Sequence, residues 1–203
     1  MRAAFFGALS LLVTAPSSPV FADTLPPASM PSPKVGDVVE YDARFATVKC
    51  KRWEVKDTDK DGAIVLQCED KLAYISKANG NLTKIVSADG ETLVEFKPYA
   101  FSISFPLEVG KTWQGKYTGY TADNGYRWAG DNSCAVKAVE PVKVPAGEFE
   151  AYRIDCVDNW LLSPYSGQAH TSAWYAPKAG TIVKYHHAET PSWNYEVTSI
   201  TMK

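Results

Sequence analysis

The stretch C-A-V-K-A-V-E-P-V-K-V-P-A-G-E-F-E-A-Y-R-I-D-C, residues 134–156, predicts two β-strands joined by a turn. If Cys134 faces Cys156 across the hairpin, the turn is centred on Pro145 within V-P-A-G. Proline fixes φ and glycine tolerates positive φ, so both residue types suit such a turn. The spacing therefore predicts a Cys134–Cys156 disulfide between neighbouring strands.

The same register predicts an apolar face on this hairpin. It places Val136 opposite Ile154 and Ala138 opposite Tyr152, on the side that carries the cysteines. Polar side chains such as Lys137 alternate with them and face the other way. This period of two is typical of a β-strand with one buried face.

A second cysteine pair lies in the first half of the chain. Cys50 and Cys68 are symmetric about Asp59, which lies in the polar stretch D-T-D-K-D-G. This symmetry predicts a Cys50–Cys68 disulfide and places Trp53 opposite Val65. Each predicted bond closes a short loop and fixes the register of adjacent strands.

Short alternating runs then follow, separated by Asn79-Gly80 and Asp89-Gly90, and they predict a meander of hairpins. The chain has no sustained 3.6-residue apolar period after its N-terminus, so any helix should be short. We therefore expect a mainly antiparallel all-β fold of about ten to twelve strands, either a strongly curved sheet or an open half-barrel.

The N-terminus has the pattern of a cleaved secretory signal. Residues 1–22 combine Arg2, a short apolar run and the small-residue site V-F-A. Residues 23–34 are rich in proline and predict a spacer, and residues 35–203 predict a single β domain. Cysteines of an exported chain are expected to pair, which predicts a periplasmic or secreted protein with no transmembrane anchor.

The two halves of the domain, 35–104 and 105–203, share an order of features. E-V-G-K-T-W at 108–113 resembles K-V-G-D-V-V at 34–39, and each of these is followed by a cysteine hairpin. A-W-Y-A-P-K-A-G-T-I-V-K from Ala173 then resembles A-Y-I-S-K-A-N-G-N-L-T-K from Ala73. We interpret the order as an internal duplication. The alternative is convergence of short β units on the same turns.

Composition and motifs exclude several functions. The formal net charge is −2 and the chain has no basic run, which argues against nucleic acid as a partner. We find no phosphate-binding glycine loop, no G-x-S-x-G motif and no candidate catalytic residue. No cofactor is therefore predicted, and enzymatic activity is uncertain and not favoured.

Two sets of residues could bind a metal ion. The carboxylates of Asp57, Asp59 and Asp61 match the first half of a calcium loop, but a cysteine stands where the bidentate glutamate should be. The alternative is a solvated acidic turn. His170 could lie close to His186 or His187 across a hairpin that turns at residues 177–180, with Glu189 or Asp158 nearby, although no third firm zinc ligand is evident.

The segments 120–132 and 159–171 have loop-like composition and carry aromatic side chains. Such side chains either plug the open face of a sheet or contact a ligand. The candidate ligand-binding residues are Tyr126, Trp128, Trp160 and Tyr165.

Three motifs resemble a widespread group of exported bacterial proteins with no assigned activity. They are V-x-V-P-A-G-x-F-x-A-Y-x-I at 142–154, W-Y-A-P-x-x-G-x-x-V-K at 174–184 and F-P-L-x-V-G-x-x-W at 105–113. The resemblance implies a curved antiparallel sheet, similar in broad shape to the half-barrels of periplasmic lipoprotein carriers. It implies no catalytic residue, and the cysteines are not part of these motifs.

These observations lead to one functional hypothesis and two alternatives. The hypothesis is an exported, non-enzymatic β protein that binds a lipid, another apolar or amphipathic ligand, or an envelope protein. The alternatives are a structural or assembly component of the cell envelope, and a metal-dependent or hydrolytic enzyme.

Overall fold

The computed structural model describes residues 25–42 and 50–203, so the predicted signal peptide and the first two residues of the spacer lie outside the described residues. Twelve antiparallel strands form a closed barrel. The strands are β1 Val38–Tyr41, β2 Arg52–Lys60, β3 Ala63–Cys68, β4 Lys71–Ser76, β5 Leu82–Ser87, β6 Thr92–Lys97, β7 Thr112–Thr121, β8 Arg127–Val144, β9 Gly147–Leu162, β10 Tyr165–Ala176, β11 Thr181–His187 and β12 Tyr195–Thr201.

Each strand pairs with its neighbours in sequence, and the short strand β1 closes the barrel by pairing with both β12 and β2. The all-β class and the strand number predicted from the sequence are confirmed. The sheet closes completely instead of remaining an open half-barrel, and closure leaves no unpaired sheet edge. Among the described residues, the helical element is a single 3-10 turn, Pro191–Trp193. No helix in this part of the chain is long and apolar enough to cross a membrane.

The β8–β9 hairpin contains the predicted disulfide and a register shift. Cys134 pairs directly with Cys156, their Cα atoms lie 4.1 Å apart, and the sulfur atoms are bonded. The predicted pairing of Ala138 with Tyr152 is wrong, because the register shifts by one residue after Val136. This β-bulge bends the strand. Ala138 lies opposite Arg153 as a result.

The first disulfide joins Cys50 to Cys68, as the spacing predicts. The predicted pairing of Trp53 with Val65 is wrong, since Val65 lies opposite Asp57 and Trp53 pairs with a residue of β1. The cause is that β2 continues to Lys60 and turns only at residues 61–62, while Cys50 precedes the strand. The centre of symmetry between the cysteines is therefore not the centre of the turn.

The predicted meander corresponds to β4, β5 and β6. The turns lie at the expected positions, with Gly80 and Gly90 at φ values of 76° and 87°. These are left-handed conformations that glycine adopts without the steric cost of a Cβ atom. Here local turn chemistry alone determines the strand boundaries.

The two segments predicted to be aromatic loops, 120–132 and 159–171, are mostly strands. β7 continues to Thr121 and β8 begins at Arg127, while only residues 163–164 separate β9 from β10. The loop prediction is wrong because residues of low strand propensity, such as Gly130 and Gly167, lie inside strands here, opposite large aromatic rings.

One end of the barrel interior is filled by two inserted segments. Ala28, from the proline-rich arm 25–34, pairs with Leu107 of the β6–β7 connection. Both side chains are buried in the same apolar cluster as the Cys134–Cys156 disulfide. A barrel of twelve strands encloses more space than its wall side chains fill, so inserted segments complete the core. We call this the plugged end.

The opposite end carries the other set of strand connections, and we call it the mouth. Antiparallel pairing brings these connections together because each follows a strand that runs in the same direction. The mouth connections that the structure describes are 69–70, 88–91, 122–126, 163–164 and 188–194.

Candidate functional site

Aromatic side chains line the inner face of the barrel near the mouth. Cross-strand pairing assigns them to the same face as the Cys134–Cys156 disulfide, since alternate residues of a strand share a face. Three of these rings lie opposite glycines of adjacent strands, namely Trp128 opposite Gly119, Tyr117 opposite Gly130 and Trp160 opposite Gly167.

The paired glycines let the rings lie against the barrel wall. A Cβ atom at Gly119 would overlap the indole of Trp128, and the same holds for the other two pairs. Each ring therefore occupies the space of the missing side chain and covers the backbone of the next strand. A ring that lies along the wall projects little into the barrel interior. The flat faces of the rings therefore line the interior near the mouth.

Exposure decreases from the rim of the mouth inwards. At the rim, Tyr126 and Tyr165 are 51% and 68% exposed. Deeper in the barrel, Trp128 of β8 and Trp160 of β9 are half-buried. Pairing thus brings these two sequence-predicted ligand-binding residues to the inner face, while Tyr126 and Tyr165 lie at the rim.

Phe96 of β6 completes this wall. Its ring meets Trp128 edge-on at a centroid distance of 5.9 Å and lies 5.8 Å from the ring of Tyr117. Phe96 pairs across the sheet with Gly119, and Gly119 pairs with Trp128, so all three residues lie on the inner face. Sequence analysis missed Phe96 and Tyr117, although the alternation of ring and glycine along β7 was the available signal.

A carboxylate, Asp158 of β9, lies on this face below the rings. The hydroxyl of Tyr117 donates a hydrogen bond of 2.5 Å to Asp158 Oδ2. Among the described residues, no hydrogen bond reaches Oδ1, which is buried. Burial raises the pKa of the Asp158 carboxyl, the Tyr117 hydrogen bond opposes that rise, and the like charge of Asp131 adds to it.

Asn132 and Phe101 separate Asp158 from the plugged end. Asn132 pairs with Asp158 across β8 and β9, and its amide donates to the carbonyl oxygen of Phe101 over 3.1 Å. The ring of Phe101 in turn occupies the space beside Gly115. The β6–β7 connection thus forms a floor beneath the aromatic wall.

Tyrosines face the interior from the other side of the barrel. Tyr185 stacks on Tyr195 with ring centroids 5.4 Å apart, and Tyr41 meets Tyr195 edge-on at 5.0 Å. Burial raises the pKa of Tyr185 to about 12, and the charge of Asp158 contributes to that rise. The interior near Asp158 is therefore rich in ring faces and contains at least one acidic group.

The acidic candidates for calcium binding lie at the β2–β3 turn. Asp57 Oδ1 accepts a hydrogen bond from the backbone amide of Asp59, and Asp59 forms an ion pair with Lys77 at 2.9 Å. Asp61 adopts a positive φ of 55° in the turn itself. These contacts are those of a polar hairpin turn at the plugged end, far along the strands from the mouth.

The histidine candidates lie on paired strands, where His170 of β10 and His186 of β11 share the outer face. His170 Nδ1 lies 2.6 Å from Glu189 Oε1, and the pKa of Glu189 is lowered to about 2, chiefly by this hydrogen bond. His186 lies opposite Ser172 on the adjacent strand, whereas His187 lies within 3.5 Å of Glu189. Within residues 25–42 and 50–203, no group of three or more His, Cys, Asp or Glu side chains could hold a metal ion.

The outer face near the mouth carries a shallow groove that sequence analysis missed. Two adjoining depressions of about 430 and 420 Å³ share the small side chains Thr118 and Ala129, with Leu161 along one side. Arg127 lies 4.3 Å above the ring of Tyr120 within this groove. The groove exists because small residues occupy the centre of the outer face and long ones surround them.

Comparison with known proteins gives a likeness of fold. The chain matches no protein-family model and no curated protein sequence. Among solved structures it is similar to a predicted exported protein with a YmcC-like fold from Bacteroides fragilis, at 16% identity and a TM-score of 0.50, over 86% of this chain and 99% of that chain. It is also similar to a predicted lipoprotein from Parabacteroides distasonis, at 11% identity and a TM-score of 0.50, over 87% of this chain and all of the other, 100%. The chain therefore has the overall fold of these proteins.

Proposed function

We propose that this protein is an exported, non-enzymatic binding protein that holds an apolar or amphipathic ligand at the aromatic mouth of its barrel. The observation that carries the proposal is the pairing of inward-facing rings with glycines, which spreads Trp128, Tyr117 and Trp160 along the wall. Ring faces bury a large apolar area on contact with a ligand. The inserted segments close the far end, so the mouth is the way in.

The two disulfides support an extracytoplasmic location, since such bonds persist in oxidising compartments. We propose the periplasm or the exterior of a bacterial cell, with a cleaved Sec-type signal at residues 1–22. In that setting a lipid or another amphiphile of the envelope is the class of ligand that the ring-lined interior fits.

A second function, contact with an envelope protein, is favoured by the rim. Three exposed aromatic side chains belong to mouth connections or the residues beside them, namely Tyr126, Tyr165 and Trp193. Exposed aromatics grouped at one end of a protein are typical of a contact surface. This function would use the rim and not the inner wall, so the two are separable by mutation.

The test is calorimetric titration with decanol, a neutral single-chain amphiphile, below its solubility limit. We expect the wild-type protein to bind decanol and Trp128→Ala to bind it at least about tenfold more weakly, because the variant loses a ring that the alkyl chain would cover. Trp160→Ala should behave in the same way.

The control is Tyr74→Ala, which removes an aromatic ring from the outer face, where it contacts Lys84. This variant should bind decanol as the wild type does. Circular dichroism and urea unfolding confirm that each variant is folded before titration. Equal binding of decanol by the wild type and both tryptophan variants overturns the proposal, and so does failure of the wild type to bind both decanol and its charged counterpart, decylammonium. Binding to a partner protein that is lost in Tyr165→Ala but kept in Trp128→Ala supports the second function.

A further inference from the structure

We infer that the ligand carries a cationic ammonium head group, which Asp158 binds at the inner end of the aromatic wall. This inference rests on the proposed function, because it assigns a head group to the ligand of that same site. It follows from the state of the carboxylate, from the chemistry of its neighbours and from its place in the barrel.

The hydrogen bonding of Asp158 is incomplete. A carboxylate accepts hydrogen bonds at both oxygens, yet only Oδ2 receives one, from Tyr117. Oδ1 is buried and receives none from the described residues. A buried acceptor without a donor is costly in a folded protein, and such groups are concentrated at functional sites. A ligand that donates to Oδ1 would remove this cost.

The charge of Asp158 is also uncompensated by the groups around it. The ionisable groups that act on it electrostatically or by hydrogen bonding are Tyr117 of β7 and Asp131 of β8, and Asp158 in turn acts on Tyr185 of β11. None of these side chains is cationic. The negative potential at the floor therefore favours a positively charged group over a neutral one of the same size.

The aromatic wall favours the same chemistry. Ring faces carry a negative quadrupole that attracts ammonium groups, and the attraction increases where water is excluded. Trp160 lies one inward-facing position from Asp158 along β9, and Tyr117 contacts the carboxylate directly. An ammonium group that passed along the wall would thus meet ring faces first and the carboxylate last.

The depth of Asp158 requires the ligand to move side chains aside. Oδ1 has almost no exposed surface, whereas the rings between it and the rim are half-buried. A single-chain amphiphile that binds with its head group towards Asp158 would push these rings aside as it enters. Its apolar tail would then lie against Trp128. The inferred ligand is therefore an amphipathic amine with one slender apolar chain.

The test compares decylammonium with decanol, which share a chain and differ in the head group. We expect the wild-type protein at neutral pH to bind decylammonium at least about tenfold more tightly than decanol, since hydrogen bonds to charged groups are among the strong ones. Asp158→Asn keeps an acceptor for Tyr117 but removes the charge. In this variant the preference should fall to within about threefold, because the affinity for decylammonium falls.

A carboxylate on the outer face of the same strand provides the matched control. Asp155→Asn removes a carboxylate that lies 3.4 Å from Arg153, and it should preserve the preference for decylammonium. Equal affinity of the wild type for the two probes, or a full preference retained by Asp158→Asn, overturns the inference while leaving the proposed function intact. Failure of both probes to bind the wild type overturns the proposed function itself.

Discussion

At the scale of single residues, the glycines of β7, β8 and β10 have a packing role that the amino-acid composition does not reveal. Gly119, Gly130 and Gly167 all lie within strands, and each leaves room for an aromatic ring from the adjacent strand. Glycine inside a strand weakens it, but a ring that covers the bare backbone restores part of the lost packing. The same residues that lower the local strand propensity thus create the aromatic wall.

Asp158 gives the residue-scale prediction on pH. Its pKa is raised in the folded protein, chiefly by burial. Below the ordinary carboxyl pKa of about 4, both folded and unfolded chains are protonated there and no stability is lost. As the pH rises, the unfolded chain releases its proton first, so folding loses stability until the pH passes the folded-state pKa. Asp158→Asn has no such proton to release.

We therefore expect the thermal midpoint of Asp158→Asn, relative to that of the wild type, to increase as the pH rises from about 3 to about 7. The measurement is thermal unfolding by circular dichroism at several pH values. Asp155→Asn is again the control, and it reports the effect on the midpoint of losing a carboxylate from the outer face of β9. A difference for Asp158→Asn that is constant, or that decreases with pH, would contradict a raised pKa.

At the scale of secondary-structure elements, the arm 25–34 is held by Tyr152, an inward-facing residue of β9. The hydroxyl of Tyr152 lies 3.1 Å from the carbonyl oxygen of Leu25 and 2.8 Å from that of Pro26, so its one proton is shared between the two acceptors. Tyr152 itself is fully buried. The arm is therefore part of the core at the plugged end and not a free spacer.

Tyr152→Phe should loosen the arm without unfolding the barrel. The variant keeps the ring and loses the hydroxyl, so we expect a loss of about 1 kcal/mol of unfolding free energy. The amide of Ala28 donates to the carbonyl oxygen of Leu107 over 2.8 Å. In Tyr152→Phe this amide should exchange with deuterium faster than it does in the wild type, and faster than the amides of the barrel strands. Tyr175→Phe, which changes another buried inward tyrosine, is the control. Unchanged exchange at Ala28 in Tyr152→Phe would show that the hydroxyl does not hold the arm.

The sequence predicts those elements whose boundaries depend on local chemistry. The turns at Gly80 and Gly90 and the pairing of Cys134 with Cys156 are of this kind. Elements that depend on distant partners are not predictable in this way. A bulge after Val136 changes the register without a local signal, and the docking of Ala28 depends on a segment far along the chain.

The sequence predicts only part of the candidate site. Residue type alone points to Trp128 and Trp160. Their inward direction follows from strand pairing, which the loop-like composition of their segments does not reveal. Asp158 could not be ranked above other carboxylates, because its distinguishing property is an oxygen that lacks a donor in the folded state. The burial of a side chain and the number of hydrogen bonds it accepts are properties of the folded structure, not of the sequence.

At the scale of the whole molecule, the barrel is asymmetric along its axis. Two inserted segments fill one end, and aromatic rings line the other. The internal duplication remains a prediction. Each set of six strands contains one disulfide that involves its third strand, β3 or β9, which is the arrangement that a duplication would produce.

The two disulfides should together provide a large part of the stability of the whole barrel. The bonded cysteines are separated by 18 and 22 residues. In the chain-entropy model each bond then contributes about 3 kcal/mol, so the pair contributes about 6 kcal/mol if the effects add. Native domains typically have about 5–15 kcal/mol in total. The reduced protein should therefore be marginally stable, which ties the fold to an oxidising compartment.

Urea unfolding of the wild type, Cys50→Ala/Cys68→Ala, Cys134→Ala/Cys156→Ala and the variant with all four substitutions measures these contributions. Each double variant should lose about 3 kcal/mol, and reductant should destabilise the wild type but leave the four-alanine variant unchanged. Peptide mapping without reductant should recover Cys50 bonded to Cys68 and Cys134 bonded to Cys156. A cross-linked peptide that joins the two pairs would contradict the pairing of β8 with β9 through Cys134 and Cys156. A wild-type protein as stable with reductant as without it would remove the argument for an oxidising compartment, because the barrel would then be held by its core and strand pairing alone.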